Sequence, residues 1–321
     1  MNGTSGRALL SLAIRPKTEV DRERLARGVA TLLADDPTLS ATTDSTTGEV
    51  VIAGMGELHL EVTIDRLKRE FNVEASVGRL EVAYKEKLTR EADGEGRLAR
   101  QSDGRGQYAH AKVHVYPGEP GSGYVFESAI TAGAIPQQFI KPINQGIREA
   151  LTRGVLAGYP VEDVRIVLYD GSYHDVDSSD LTFRIAGSMA FYDAARRARP
   201  VLIEPIMCVE VMAPKEFLGD VIDNLSSRRA QIQSQNDCDG MQRIDARVPL
   251  AAMFGYATDL RSRTRGRGTF TMNFVSYQPC ERPGPEMPPD DSMVGAQLKP
   301  TPTLPDSSAA LPEPPWDGPQ D

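Results

Sequence analysis

One imidazole sits in a stretch rich in acid side chains. The run Leu168-Tyr169-Asp170-Gly171-Ser172-Tyr173-His174-Asp175-Val176-Asp177-Ser178-Ser179 carries His174, with Asp170, Asp175, Asp177 and Asp180 close by in the chain. Four roles suit such a residue. A metal ligand is one, but the spacing lacks the glycine and closing glutamate of a calcium loop. A general base is another, but no nucleophile partner is identifiable, so no catalytic residue is assigned. A ring that stacks on or hydrogen-bonds an unpaired nucleobase is the third. A solvated turn residue is the fourth. A second run, Gln101-Ser102-Asp103-Gly104-Arg105-Gly106-Gln107-Tyr108-Ala109-His110, reads as a projecting loop whose glycines permit a tight turn, with Arg105 at its tip.

These loops need a rigid base. Val164, Ile166 and Leu168 alternate as a strand, Asp170-Gly171 predicts a turn, and Ser178-Ser179-Asp180 predicts a helix start. Ala111, Val113 and Val115 lie on one face of a second strand, with His110, Lys112 and His114 on the other, which reads as a solvated face rather than a metal site. Pro136 opens a helix with Phe139, Ile143, Ile147 and Leu151 on one stripe, ending at Gly154, and Pro142 conflicts with it unless it falls in the first turn.

Upstream, residues 1–78 alternate strand and helix signals in the order βαββαβ. Thr18 and Asp21 suggest a capping box, and Leu60, Ile64, Leu67 and Phe71 line a second helix. Residues 201–278 repeat the same order, with helices predicted at 214–232 and 253–261. The fold class is therefore α+β, with two ferredoxin-like sandwiches flanking a middle domain at 79–200. From Pro279 onward prolines are dense and apolar periodicity stops, which predicts a disordered acidic tail at 279–321.

The net charge is -9 over 321 residues, and the residues from Glu281 onward carry -6 of it. The rest is nearly neutral, so any RNA contact must be a local patch. Arg261, Arg263, Arg265 and Arg267 alternate with small residues and form one such patch. Three scattered cysteines make no disulfide framework or zinc site and suit a reducing cytoplasm. No signal peptide and no run of about 18 apolar residues predicts membrane insertion. A cytoplasmic monomer is expected.

Several strings resemble one family. Ile52-Ala53-Gly54-Met55-Gly56-Glu57-Leu58-His59-Leu60-Glu61 is similar to a specific string of elongation factor G domain III. Gly104-Arg105-Gly106-Gln107-Tyr108 and Tyr169-Asp170-Gly171-Ser172-Tyr173-His174 resemble the tip loops of its domain IV. The stretch Pro249 to Ser262, with Met253-Phe254-Gly255-Tyr256-Ala257-Thr258-Asp259 inside it, resembles the signature of domain V, and Ser226-Ser227-Arg228-Arg229 matches the family's helix end. The resemblance spans roughly residues 8–278. It implies a ribosomal protein S5 domain 2-like fold for the middle domain. Its partners would be the ribosome, transfer RNA and messenger RNA. Gln101, Arg105, Gln107, Tyr173, His174 and Asp175 would enter the small-subunit decoding centre. Arg228, Arg229, Arg261, Arg263 and Arg265 would face the large-subunit factor-binding centre. Glu57 and His59 would lie between domains; with no second ligand spaced beside it, His59 reads as a packing or interdomain residue.

No Gly-x-x-x-x-Gly-Lys-Ser/Thr phosphate loop occurs in the sequence. The resemblance therefore implies an elongation factor G half without the GTPase domain and domain II, holding no cofactor itself and not an enzyme alone. GTP and magnesium would come only through the GTPase domain. A stand-alone ribosome-binding regulator or competitor is the alternative, as is a tetracycline-protection-type factor, although the tip loops differ from the latter. An ATP-using enzyme of S5-like fold is disfavoured, since no glycine loop lies beside a lysine.

Overall fold

The computed structural model describes residues 8–280 apart from 44–48, 103–104, 132 and 239, and only the backbone at Gln101, Ser102 and Arg105. The expected tail from Glu281 onward lies outside the described residues.

The first lobe runs β1 (Leu10–Pro16), α1 (Glu19–Asp35), β2 (Ser40–Thr43), β3 (Val50–Gly54), α2 (Glu57–Glu70) and β4 (Ala75–Val77). Its sheet order is β2-β3-β1-β4, the ferredoxin-like arrangement. Period-two alternation turns Leu10, Leu12 and Ile14 inward, where they meet Leu25, Val29 and Leu32 of α1 and Leu60 and Leu67 of α2. The Thr18 hydroxyl caps α1 by accepting from the Asp21 amide at 3.1 Å.

Asp21 is also a tie between elements. Its carboxylate accepts from the Thr18 hydroxyl at 2.6 Å and from the Glu74 amide at 3.1 Å. These bonds to the ionised form, the Thr18 hydroxyl foremost, hold its pKa below the ordinary 3.8. Asp36, Asp245 and Asp259 are lowered too, chiefly by Thr38, Ser234 and Arg228 respectively. A depressed folded-state pKa contributes stability that is present above the unfolded value and lost as pH falls through the folded one. Urea midpoints should therefore hold from neutral pH down to about 4 and drop below it, more shallowly in Asp21→Asn. A midpoint that rises as pH falls below about 4 would contradict this linkage.

Two short strands connect the lobes. Glu81–Val82 (β5) pairs with β1, so it extends the first sheet beyond residue 78. Lys85–Leu88 (β6) instead joins the sheet of the third lobe.

The second lobe comprises β7 (Ala92–Ser102), β8 (Arg105–Pro117), β9 (Tyr124–Ser128), α3 (Ile140–Arg153), β10 (Val164–Ser172) and α4 (Asp180–Arg197). Its sheet order is β7-β8-β10-β9, with β9 parallel to β10. Ala109, Ala111, Val113 and Val115 face the helices and pack with Phe183, Ala186, Ala190 and Phe191 of α4. Pro142 sits in the first turn of α3, where a missing amide hydrogen is tolerated, and Gly154 ends that helix at φ 72°.

Two local expectations are corrected here. The run 101–110, expected as a projecting loop, is mostly strand: β7 ends at Ser102 and β8 begins at Arg105, paired from Ala92↔Val115 to Ser102↔Arg105. The projecting loop is thus the end of a long hairpin. Its glycines serve close packing: a Cβ on Gly94 would lie 2.2 Å from the Ala190 carbonyl oxygen, and one on Gly96 2.0 Å from that of Ala186. Asp170-Gly171 is likewise not a turn. It continues β10 past an irregularity between Leu168 and Asp170, and a Cβ on Gly171 would lie 2.3 Å from the His110 carbonyl oxygen.

The third lobe has β11 (Pro200–Pro214), α5 (Leu218–Ser227), β12 (Gln231–Cys238), β13 (Met241–Pro249), α6 (Tyr256–Arg263) and β14 (Thr269–Pro279). The order β12-β13-β11-β14 repeats the ferredoxin-like plan, and β6 pairs with β11. The helix predicted to reach Ile232 stops at Ser227, because Arg229 turns the backbone to φ 60° and the Ala230 amide closes on the Leu225 carbonyl. Buried apolar side chains of the first and third lobes form one contiguous cluster, while the second lobe has its own. Among the described residues no helix is long and apolar enough to cross a membrane.

Candidate nucleic-acid interface

The far end of the second lobe is made by the β7–β8 hairpin and the 173–179 loop, and hydrogen bonds lace the two together. The Tyr108 amide donates to the Asp177 carbonyl at 2.9 Å. The Ser178 hydroxyl donates to the Tyr108 carbonyl at 2.8 Å and accepts from the His174 amide at 2.9 Å. The Ser178 amide closes the turn on the His174 carbonyl at 3.1 Å. Ser179 then caps α4 in a reciprocal capping box with Thr182. A loop of this kind, whose polar backbone is satisfied locally, can present side chains without ordering them at each encounter.

His174 is one of those side chains. Its side chain is 59% exposed, and Nδ1 lies 3.1 Å from Asp177 Oδ2. A neutral ring donating from Nδ1 leaves Nε2 outward as an acceptor. Tyr173, Asp175 and Gln107 are exposed on the same end. The backbones of Gln101 and Arg105 lie in the hairpin, opposite Gly106 and Ser102, and their side chains lie outside the described residues. Asp170 does not join His174. It pairs with Lys112 at 2.9 Å, and that ammonium, first among the causes, holds its pKa below the ordinary value. Sequence reasoning missed Val176, which is 84% exposed between two aspartates. An apolar residue inside an acidic turn was the available signal.

The five arginines expected to face the large subunit divide into two groups, while Arg267 donates to Glu216 and lies over the Phe217 ring. Arg261, Arg263 and Arg265 are exposed around the end of α6. Arg228 and Arg229, grouped with them from sequence, are instead engaged by partners within the lobe. The Arg228 guanidinium donates to the carbonyls of Ala252 and Phe254 and to Asp259, and lies over the Tyr256 ring. Arg229 makes a two-pronged pair with buried Glu204 at 2.9 and 3.0 Å. The planar fork matches a carboxylate's two oxygens, which uses its donors internally.

Glu57 and His59 also part company. Glu57 accepts from the Gly255 amide at 3.4 Å, tying the first lobe to the third. His59 stays within the first lobe, with Nε2 2.9 Å from Asp36 and Nδ1 accepting from the Met55 amide at 3.3 Å.

Comparison with known proteins agrees with this architecture. Residues 6–79 match the family model for elongation factor G domain III, 80–199 that for domain IV, and 201–286 that for the elongation factor G C-terminus. A crystal structure of a Thermus thermophilus protein is similar at 38% sequence identity and a TM-score of 0.64, over 87% of this chain. The chain spans 42% of the length of that protein. The three matched domains, two ferredoxin-like lobes around a middle lobe, are consistent with the class of translation factors. The chain belongs to the elongation factor G family and carries its domains III, IV and C-terminal domain in that order.

Proposed function

We propose that this chain binds the ribosome through the end of its second lobe and promotes movement of transfer RNA and messenger RNA as a rigid wedge in the decoding site of the small subunit. The observation that supports this reading most is the tip, where His174, Tyr173, Gln107 and Asp175 are exposed on a backbone laced by Tyr108 and Ser178. Splayed RNA bases are recognised by stacking on flat rings and by hydrogen bonds to their edges. Arg261, Arg263 and Arg265 would add a second, phosphate-seeking contact toward large-subunit RNA. The chain acts mechanically in this reading, and GTP hydrolysis belongs to a nucleotide-binding part that residues 1–321 do not encode as a phosphate loop.

Co-sedimentation with 70S ribosomes across a salt series tests it. Stacking contributes about 1–3 kcal/mol per base, so Gln107→Ala with His174→Ala should weaken binding about tenfold or more. Replacing Arg261, Arg263 and Arg265 with alanine should instead flatten the salt dependence by about two to three units of log-log slope. Absence of sedimentation at low salt would refute ribosome binding by these domains.

A further inference from the structure

A row of side chains on the open face of the second lobe runs from β7 to the base of the tip. His110 stands directly opposite Ser172 in the β8–β10 register, and Ser172 is the last residue of β10 before Tyr173 and His174. His110 Nδ1 lies 3.1 Å from the Ser172 hydroxyl, which is also 2.7 Å from the Tyr108 hydroxyl. The other ring nitrogen, Nε2, lies 2.8 Å from Glu95 Oε1 on β7. The His110 side chain is only 15% exposed, whereas Glu95 is 53% exposed. These are not the loose polar ornaments of a solvated strand. The imidazole spans three strands: Nδ1 is within hydrogen-bond reach of Ser172, while Nε2 lies at ion-pair distance from Glu95 without hydrogen-bond geometry.

We infer that His110 is a positioning residue for the tip, acting through Ser172 and Tyr108 without touching the ligand. This rests on the proposed tip function. Tyr108 is the residue to which the 173–179 loop is tied, because its amide holds the Asp177 carbonyl and its carbonyl takes the Ser178 and Thr182 hydroxyls. Its side chain is fixed at the far end by Ser172, and Ser172 is fixed by His110. The hairpin and the loop therefore share one hydrogen-bonded anchor on the sheet face, in addition to the backbone bonds at the tip. A chain of such bonds restricts each member more than its pairwise contacts do alone. Losing the imidazole frees the Ser172 hydroxyl and the Tyr108 ring together, and the loop loses the fixed base from which His174 projects.

Amide hydrogen exchange on the free full chain reads this without any ribosome. In His110→Ala, the amides of Tyr108, His174 and Ser178 should exchange about tenfold faster, while those of Val113 and Val115 in the same strand keep their protection. Ser172→Ala should reproduce the pattern. His110→Asn, whose side-chain nitrogen occupies the place of Nδ1, should restore slow exchange, and a residue needed only for packing would not be rescued in this way. Ribosome co-sedimentation adds the functional arm: His110→Ala should weaken binding as His174→Ala does, and the double variant should bind no more weakly than His174→Ala alone. Unchanged exchange at the three amides, equal acceleration across the whole strand, or additive losses in the double variant would each overturn the inference. Failure of the unsubstituted chain to bind ribosomes would refute the proposed function and leave the exchange result to decide the role of His110.

Discussion

Glu86→Ala should lower the unfolding free energy by about 3–5 kcal/mol, the largest loss expected from any single charged residue in this chain. Glu86 is fully buried. Its carboxylate accepts from the amides of Val155 and Leu156 at 2.6 and 2.9 Å through one oxygen, and of Ala157 and Tyr159 at 2.7 and 3.2 Å through the other. A buried carboxylate is costly unless its lone pairs are filled, and here four backbone donors fill them. Those donors have the converse need, because the loop after α3 wraps around the carboxylate and finds no strand partner at these positions. Alanine would strand up to four amides, at about 1–3 kcal/mol for each that water does not reach. Glu86→Gln should cost less but still clearly more than a surface change, since its amide nitrogen would point a donor at donors. The same loop abuts the joint between lobes, where the Glu86 amide donates to the Pro160 carbonyl and Lys85 pairs with Glu162 at 2.6 Å. Limited proteolysis should accordingly nick Glu86→Ala near residues 154–162. Urea denaturation checks the energy, and a loss under about 1 kcal/mol would mean the loop amides are satisfied in another way.

Gly96→Ala should cost about 3 kcal/mol or more and should also blunt the tip. A methyl group there would lie 2.0 Å from the Ala186 carbonyl oxygen and 2.5 Å from the Ala190 amide nitrogen, both backbone atoms of α4. Overpacking against yielding side chains costs about 1–3 kcal/mol, and here the obstacle is a helix backbone that cannot rotate aside. Either β7 lifts from the sheet or α4 shifts. Because α4 begins at Asp180, directly after the tip loop, a shift moves the residues that display His174. Gly219→Ala in α5 is the matched control, with no atom from outside its own helix turn and chain neighbours within 4 Å of its added methyl. It should be neutral or stabilising by up to about 1 kcal/mol, as alanine is the better helix former. Thermal unfolding and ribosome co-sedimentation of the two variants give the comparison. Equal stability of both would show that the β7–α4 contact yields more easily than its spacing implies.

Much of the architecture could be read along the chain. The alternation at Val164, Ile166 and Leu168 and at Ala111, Val113 and Val115 appears as strands with those residues inward. Thr18 and Ser179 cap helices, and Gly154 ends one, as their types suggest. These features depend on neighbours within about four residues, so the sequence carries them directly. The order βαββαβ follows from them, and so do the two ferredoxin-like lobes.

What stayed hidden concerns residues whose partners are remote. Gly171 looks like a turn former but lies in a strand, as do Gly94 and Gly96, because a helix backbone or a neighbouring strand comes too close for a side chain. Glu86 looks solvated between two lysines, yet amides about 70 positions later enclose it. Arg228 and Arg229 look like exposed phosphate ligands and are instead consumed by Asp259 and Glu204. His110 shares its sequence pattern with any polar strand face until the register sets Ser172 opposite it. The sequence alone thus determined most helices and core strands, their order and the exposure of His174 on a turn, but not β7 or the ends of α5. The tertiary structure decided which charges and glycines are spent inside the protein, because burial and hydrogen-bond satisfaction are settled by contacts across the chain rather than along it.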